Sequence, residues 1–156
     1  MRLSRDEVEE IWLAGRLHDL GKVAVPDAVL RKEGPLDERE WQHMRRHPET
    51  GAAVLSHFSE WTTGVTLVLL HHTRPDGKGY PSPPVGAPPE LTPIGAYVLA
   101  VADSYDAMTS DRPYRKGMPP SRAATIFREG RGTQWHAGAV DALLQSLDLD
   151  APPCAS

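Results

Sequence analysis

Apolar residues recur at helical spacing along most of this chain, and short capping patterns divide it into segments. Ser4 followed by Glu7 has the spacing of a capping box, in which side chain and backbone at a helix start satisfy each other. Val8, Ile11, Trp12, Ala14 and Leu17 then recur three or four apart, predicting a helix from Arg5 to about Leu20 with Gly21 as its stop. His18 and Asp19 fall in its last turn. Pro26 and Gly34-Pro35 mark 23–34 as a loop with at most one short turn. Asp37 and Glu40 repeat the capping pattern and predict a short helix through Trp41 and Met44 to about Arg46. Pro48 suits the first turn of a new helix, expected to run to about Phe58.

The second half alternates apolar helices with irregular chain. Thr62 to His72 is apolar nearly all round, the pattern of a central buried helix. Seven prolines between Thr73 and Pro93 make that stretch an irregular loop between two core segments. Ile94 to Thr109 predicts another apolar helix, interrupted by Asp103 and Asp106, and Asp111 to Arg115 a basic loop. Ser121 is placed to cap a helix ending near Glu129 and Gly130, and Ala139 to Leu147 predicts the last one. The expected fold class is all-α: a single domain over 1–147, then a flexible tail over 148–156.

Composition narrows the function. A chain of 156 residues can build one domain with a real core. Its net charge of −4 argues against binding a nucleic-acid polymer, which needs a basic face to displace counterions. A lone cysteine, Cys154, leaves no disulfide framework and no thiolate zinc cluster. No apolar run approaches the roughly 20 residues of a membrane span, and charges fill the place of a signal peptide's apolar core. A cytoplasmic protein with no membrane partner is expected.

Histidine changes the picture. Four of the seven stand in the contexts His18-Asp19, His47-Pro48 and His71-His72. With no thiolates, a metal site would use imidazoles and carboxylates, the ligands of zinc, iron and manganese. Each pattern alone has a plainer reading. A histidine pair beside a loop can be ordinary surface, and a helix-end histidine next to an acid can be a solvated pair favoured by the helix dipole. Asp103 and Asp106, spaced i and i+3, share a helix face that either meets solvent or, among so many alanines and valines, meets a cation. Arg112 and Arg115 flank a proline in the way that can present guanidinium forks to phosphate.

Five motifs then occur in one order: His-Asp-Leu-Gly-Lys at 18–22, Arg-His-Pro-Glu-Thr-Gly at 46–51, His-His-x-x-x-Asp-Gly-x-Gly-Tyr-Pro at 71–81, Val-Ala-Asp-Ser-Tyr-Asp-Ala-Met-Thr-Ser-Asp-Arg-Pro-Tyr-Arg at 101–115, and Gly-Thr-Gln at 132–134. Over about Leu17 to Leu144 the chain resembles the HD-GYP family, the bacterial cyclic di-GMP phosphodiesterases of the HD phosphohydrolase superfamily. The resemblance implies an HD-domain-like helical bundle. It implies metal ligation by His18, Asp19, His47, His71, His72 and Asp103, with two or three divalent ions, iron or manganese, bridging a hydroxide. Asp19 and Lys22 become the catalytic residues. Lys22, Arg112 and Arg115 would hold phosphate, Tyr80 would shape the substrate loop, and Asp106 would stand close to Lys22. Attack on a phosphodiester of cyclic di-GMP would release the linear dinucleotide, or GMP after a second cut.

Several positions depart from the family pattern. Family members carry a helix ahead of the His-Asp helix that supplies another histidine. Only seventeen residues precede His18 here and none is histidine, so the resemblance implies that this helix is missing. Glu7, Glu9 and Glu10 are the carboxylates near enough in sequence to substitute. The missing helix would also leave an apolar strip on the His18 helix, to be covered in a homodimer. Thr73 stands where a glutamate often follows the histidine pair, the loop from Ser82 to Pro93 lacks basic residues, and His136 replaces an acid after Gly-Thr-Gln. His43, His57 and His136 match no ligand position. Two functions are therefore expected to compete. One is an active cyclic dinucleotide phosphodiesterase. The other is a weak or silent domain that binds cyclic di-GMP or a protein partner such as a diguanylate cyclase. A different HD phosphohydrolase acting on another nucleotide is disfavoured by Gly79-Tyr80-Pro81.

Overall fold

Ser4 and Asp37 each open a helix by the two-way bond that their spacing predicts. Glu7 N–H donates to Ser4 Oγ at 3.2 Å while Ser4 N–H donates to Glu7 Oε2 at 2.7 Å. Glu40 N–H donates to Asp37 Oδ1 at 2.9 Å, and Asp37 N–H to Glu40 Oε2 at 2.7 Å. The computed structural model describes residues 2–58, 61–82, 92–111 and 116–148. Within them lie α1 (Arg5–Leu17), a 3-10 segment (Leu20–Ala24), α2 (Asp27–Leu30), α3 (Glu38–Met44), α4 (His47–Leu55), α5 (Thr62–Leu70), α6 (Ile94–Thr109), α7 (Pro120–Gly130) and α8 (Ala137–Ser146). Among the described residues the only β-type pairing is an isolated bridge between Arg131 and Trp135, so the all-α expectation holds. No helix among them is long and apolar enough to cross a membrane. Arg112, Arg115, residues 83–91 of the proline-rich loop and the tail beyond Asp148 lie outside the described residues.

Several boundaries differ from the periodicity reading, among them the end of α4, which falls at Leu55 and not near Phe58. Helix α1 stops at Leu17 instead of continuing to Leu20, and His18 becomes its C-cap. The chain then tightens into the 3-10 segment, because Gly21 packs directly on the backbone of α4. A Cβ at Gly21 would collide with the His47 carbonyl and the Gly51 amide. Gly21 is therefore a close-approach residue and not a helix stop. Helix α7 starts at Pro120, capped by Pro119, so Ser121 lies inside it. Proline suits the first helical position because its missing N–H would find no helical partner there. Helix α5 ends at Leu70, leaving His71 as its C-cap.

The core has two clusters that share α6. On one side Ala96 and Leu99 pack with Ala14 of α1, Leu55 of α4, and Leu67 and Val68 of α5. On the other, Tyr97 and Val101 pack with Ala124 and Phe127 of α7, Trp135, and Ala139, Val140 and Leu144 of α8. Helix α6 is apolar on both flanks because it is buried from both. Val8, Trp12 and Leu13 of α1 are exposed, with the Arg16 guanidinium 5.0 Å from the Trp12 ring centre.

Candidate metal centre and adjoining cleft

Three imidazoles reach one point from three helix ends by the same device. His18 Nδ1 lies 2.7 Å from the Gly15 carbonyl, His47 Nδ1 2.7 Å from that of Met44, and His71 Nδ1 2.6 Å from that of Val68. A carbonyl oxygen only accepts, so each Nδ1 carries a proton and donates it. Each Nε2 is thereby turned inward with its lone pair available, the tautomer that a metal ligand needs. His47 and His71 are almost wholly buried.

The carboxylates stand at the same point. His18 Nε2 is 3.5 Å from Asp19 Oδ2 and 3.5 Å from Asp103 Oδ1, while His47 Nε2 is 3.5 Å from Asp19 Oδ1. Asp19 thus connects the His18 and His47 sides, and Lys22 Nζ donates to its Oδ2 at 2.6 Å. Two groups of ligand atoms each fall within 4.8 Å of one another: His47, His71 and His72, and His18, Asp19 and His71. They share His71. The six residues expected as ligands, His18, Asp19, His47, His71, His72 and Asp103, come from α1, the turn after it, α4, α5 and α6.

The electrostatics show that a cation fits here. His47 Nε2 and His71 Nε2 face each other at 3.3 Å. With both Nδ1 protons already donated, two lone pairs oppose each other across that gap. Burial pushes the His47 imidazole below its ordinary pKa, His71 down to about 4 and His72 down to about 2, so added protons do not relieve the repulsion near neutrality. A metal ion bound by those nitrogens would. His18 behaves differently: its hydrogen bond to Asp103 raises its pKa. Burial pushes the Asp103 carboxyl up, but the bond from His18 and the neighbouring imidazoles outweigh it and hold the group below its ordinary value. Protonation of His18 at Nε2 would compete with a metal for that nitrogen.

The loop after α5 folds back onto this cluster. Tyr80 N–H donates to the His72 carbonyl at 3.1 Å, and a Cβ at Gly79 would collide with that same carbonyl and with the Arg74 amide. Only glycine permits the approach, which lays the Tyr80 ring 4.6 Å from the His72 ring, tilted by 33°. Gly77 has φ of +73°, in the left-handed region. Arg74 clamps Asp76 with two bonds of 2.9 and 2.6 Å, and Asp76 N–H donates to the Thr133 carbonyl at 3.1 Å. That last bond joins the Gly-Tyr-Pro loop to the Gly-Thr-Gln turn, two motifs more than fifty positions apart in sequence. Burial holds the Tyr80 hydroxyl protonated well above its usual range.

Beside the histidines opens a cleft of about 500 Å³, lined by His71, His72, Tyr80 and Gln134, among others. Trp41 and Arg45 also line it, and the sequence reading gave neither a role. Their i, i+4 spacing on the helix just before His47 was the signal available. Asp106 is exposed and accepts from Ser110 Oγ at 2.8 Å, while Lys22 pairs with Asp19. Glu7 serves its helix cap, Glu9 pairs with Arg5 at 3.1 Å, and Glu10 accepts from Trp61 Nε1 at 2.6 Å, so all three are engaged away from the cluster. Thr73 Oγ1 donates to the Leu70 carbonyl at 2.7 Å. His43 and His57 are exposed, and His136 stacks on Tyr97 at 5.0 Å.

A helical bundle that gathers imidazoles and carboxylates from its helix ends, beside a cleft closed by a Gly-Tyr-Pro loop, has the architecture of an HD-type metal-dependent phosphohydrolase. Residues 1–140 match the HD domain family, and the chain belongs to that family, within its HD-GYP group. It is 42% identical over 145 residues to the cyclic di-GMP phosphodiesterase response regulator RpfG of Xanthomonas campestris, covering 92% of this chain and 38% of that protein. It is 45% identical over 126 residues to the cyclic di-GMP phosphodiesterase PA4108 of Pseudomonas aeruginosa, covering 80% and 30%. A 3'3'-cGAMP-specific phosphodiesterase of Vibrio cholerae is 33% identical over 150 residues, covering 95% and 32%. The chain therefore spans well under half the length of these relatives. Among solved structures, Bd1817, an HD-GYP-type protein of Bdellovibrio bacteriovorus, shares the fold with a TM-score of 0.69 at 18% identity, covering 94% of this chain and 45% of that one.

Proposed function

We propose that this domain hydrolyses a phosphodiester bond of a cyclic dinucleotide, cyclic di-GMP in the first place, to the linear dinucleotide or GMP. The observation that carries this reading is the convergence of His47 Nε2 and His71 Nε2, 3.3 Å apart, with Asp19 oxygens 3.5 Å from both His18 Nε2 and His47 Nε2. His18, Asp19, His47, His71, His72 and Asp103 would hold two or three divalent ions, iron or manganese, in keeping with an imidazole and carboxylate set. Such ions supply Lewis acidity that activates water and polarises a phosphoryl oxygen.

The chain's own groups do the rest. Lys22, fixed by Asp19, offsets negative charge that builds on the phosphoryl group. Asp19 orients Lys22, while the Gly15 and Met44 carbonyls orient the flanking His18 and His47 rings. Tyr80, kept protonated by burial, offers a donor to the substrate beside His72. Arg112 and Arg115 are assigned to phosphate from the sequence motif alone. Asp106 bonds Ser110 at the end of α6, so its part is to fix the chain that leads into those arginines.

A second reading, a domain that binds a cyclic dinucleotide without cutting it, is favoured by one observation. The Thr73 hydroxyl turns back onto the Leu70 carbonyl and brings no oxygen to the cluster. Metal analysis combined with chromatographic turnover of cyclic di-GMP separates the two. Bound metal with release of linear product supports the enzyme. Metal-replete protein that binds the dinucleotide and leaves it intact supports the second reading and sinks the first.

A further inference from the structure

Trp41 is a large aromatic residue left 38% exposed on a short helix, yet it faces a concave surface and not open solvent. The Arg45 guanidinium stands 5.5 Å from its ring centre, one helical turn along, and lines the same cleft. Among the described residues the carboxylate paired with Arg45 is Glu38, at 3.8 Å, with both side chains largely exposed. Such a pairing leaves the guanidinium available. His71 and His72 line that same cleft, which places the pair near the histidine cluster.

Resting on the phosphodiesterase reading above, we infer that Trp41 and Arg45 form a stacking platform for a purine base of the substrate while its phosphodiester lies at His47, His71 and His72. A cyclic dinucleotide carries two flat purines, and a cleft that takes its phosphate must also take at least one base. A guanidinium plane carried on an indole is a surface on which any purine stacks. Arginine is required for this role: lysine supplies the charge without the plane. The platform explains why an exposed tryptophan faces the cleft on the helix just before the His47 motif.

The test is equilibrium binding of a cleavage-resistant phosphorothioate analogue of cyclic di-GMP to metal-replete protein, with turnover of cyclic di-GMP measured in parallel. Trp41→Ala and Arg45→Ala should each weaken binding by about tenfold, the scale of one lost base stack, and raise KM far more than they lower kcat. Trp41→Phe should restore most of the affinity, whereas Arg45→Lys should not. Arg45 is exposed, so its variants test the platform even if Trp41→Ala impairs folding. Affinity within twofold of wild type in both alanine variants overturns the inference while leaving the phosphodiesterase reading intact. Full rescue by Arg45→Lys also overturns it, reducing the site to a point charge. Wild-type protein that neither binds nor cuts the dinucleotide removes both.

Discussion

Helix α6 separates two unlike regions of this molecule. On its α1, α4 and α5 side the packed residues are mainly small or aliphatic, and the helix ends carry imidazoles with their Nδ1 atoms bonded to the last turn. On its α7 and α8 side the core carries three aromatic rings, Tyr97, Phe127 and Trp135, the last two with centroids 4.6 Å apart. His136 shows the difference in one residue. It stacks on Tyr97, and its buried Nδ1 finds no partner among the described residues. A histidine becomes a ligand candidate here because a helix end aims its Nε2 at others, and not because it is buried.

The largest expected effect lies in the aromatic region. Phe127→Ala should cost about 3–5 kcal/mol in denaturant unfolding, because Phe127 is fully buried against Trp135 and the site cannot collapse. The fraction that stays folded should keep its metal content. Loss of metal from that fraction would break the division between the two sides.

His71→Ala should act the other way. Both ligand groups include His71, so metal affinity should fall at least about 100-fold, beyond the range seen when only a ligand's support is removed. Thermal stability without metal should change little or rise, since an opposed pair of lone pairs disappears. Metal content equal to wild type would show that the two groups do not meet at His71.

Ser104→Ala probes the seam between the regions. Trp135 Nε1–H donates to Ser104 Oγ at 3.0 Å, next in sequence to Asp103. Removing the acceptor strands a mostly buried donor and should cost about 1–3 kcal/mol of stability. A variant as stable as wild type would mean that the Trp135–Ser104 bond contributes nothing to holding the two regions together.

The smallest effect is on the rim. Arg131 grips Asp141 through bonds of 2.7 and 2.6 Å in a largely exposed setting. The bond from Arg131 holds the Asp141 carboxyl below its ordinary pKa. Its contribution is therefore present above about pH 4, the unfolded value, and is lost as pH falls through the lower folded one. The stability gap between wild type and Asp141→Asn should be small at neutral pH and close in acid. A gap that widens in acid would reverse this assignment.

Much of the fold was legible in the residue pattern because helix starts are local events. Ser4 with Glu7 and Asp37 with Glu40 close their capping boxes within four residues, and the bounds of α6 follow from an apolar pattern that Asp103 and Asp106 only interrupt. Misjudged ends, at Gly21 and at Ser121, depend on what lies across space or on proline at a first turn. The motifs likewise identified the family, since residue type and order survive in the chain itself. What tertiary structure alone decided is which histidines converge. His57 bonds back to its own helix end through Nδ1 much as His47 and His71 do, yet it is exposed and stands apart from the cluster. The local device is the same in all of them. Convergence needs helices distant in sequence to pack at one point, as Gly21 against α4 and Gly79 against His72 allow, and no local spacing encodes that.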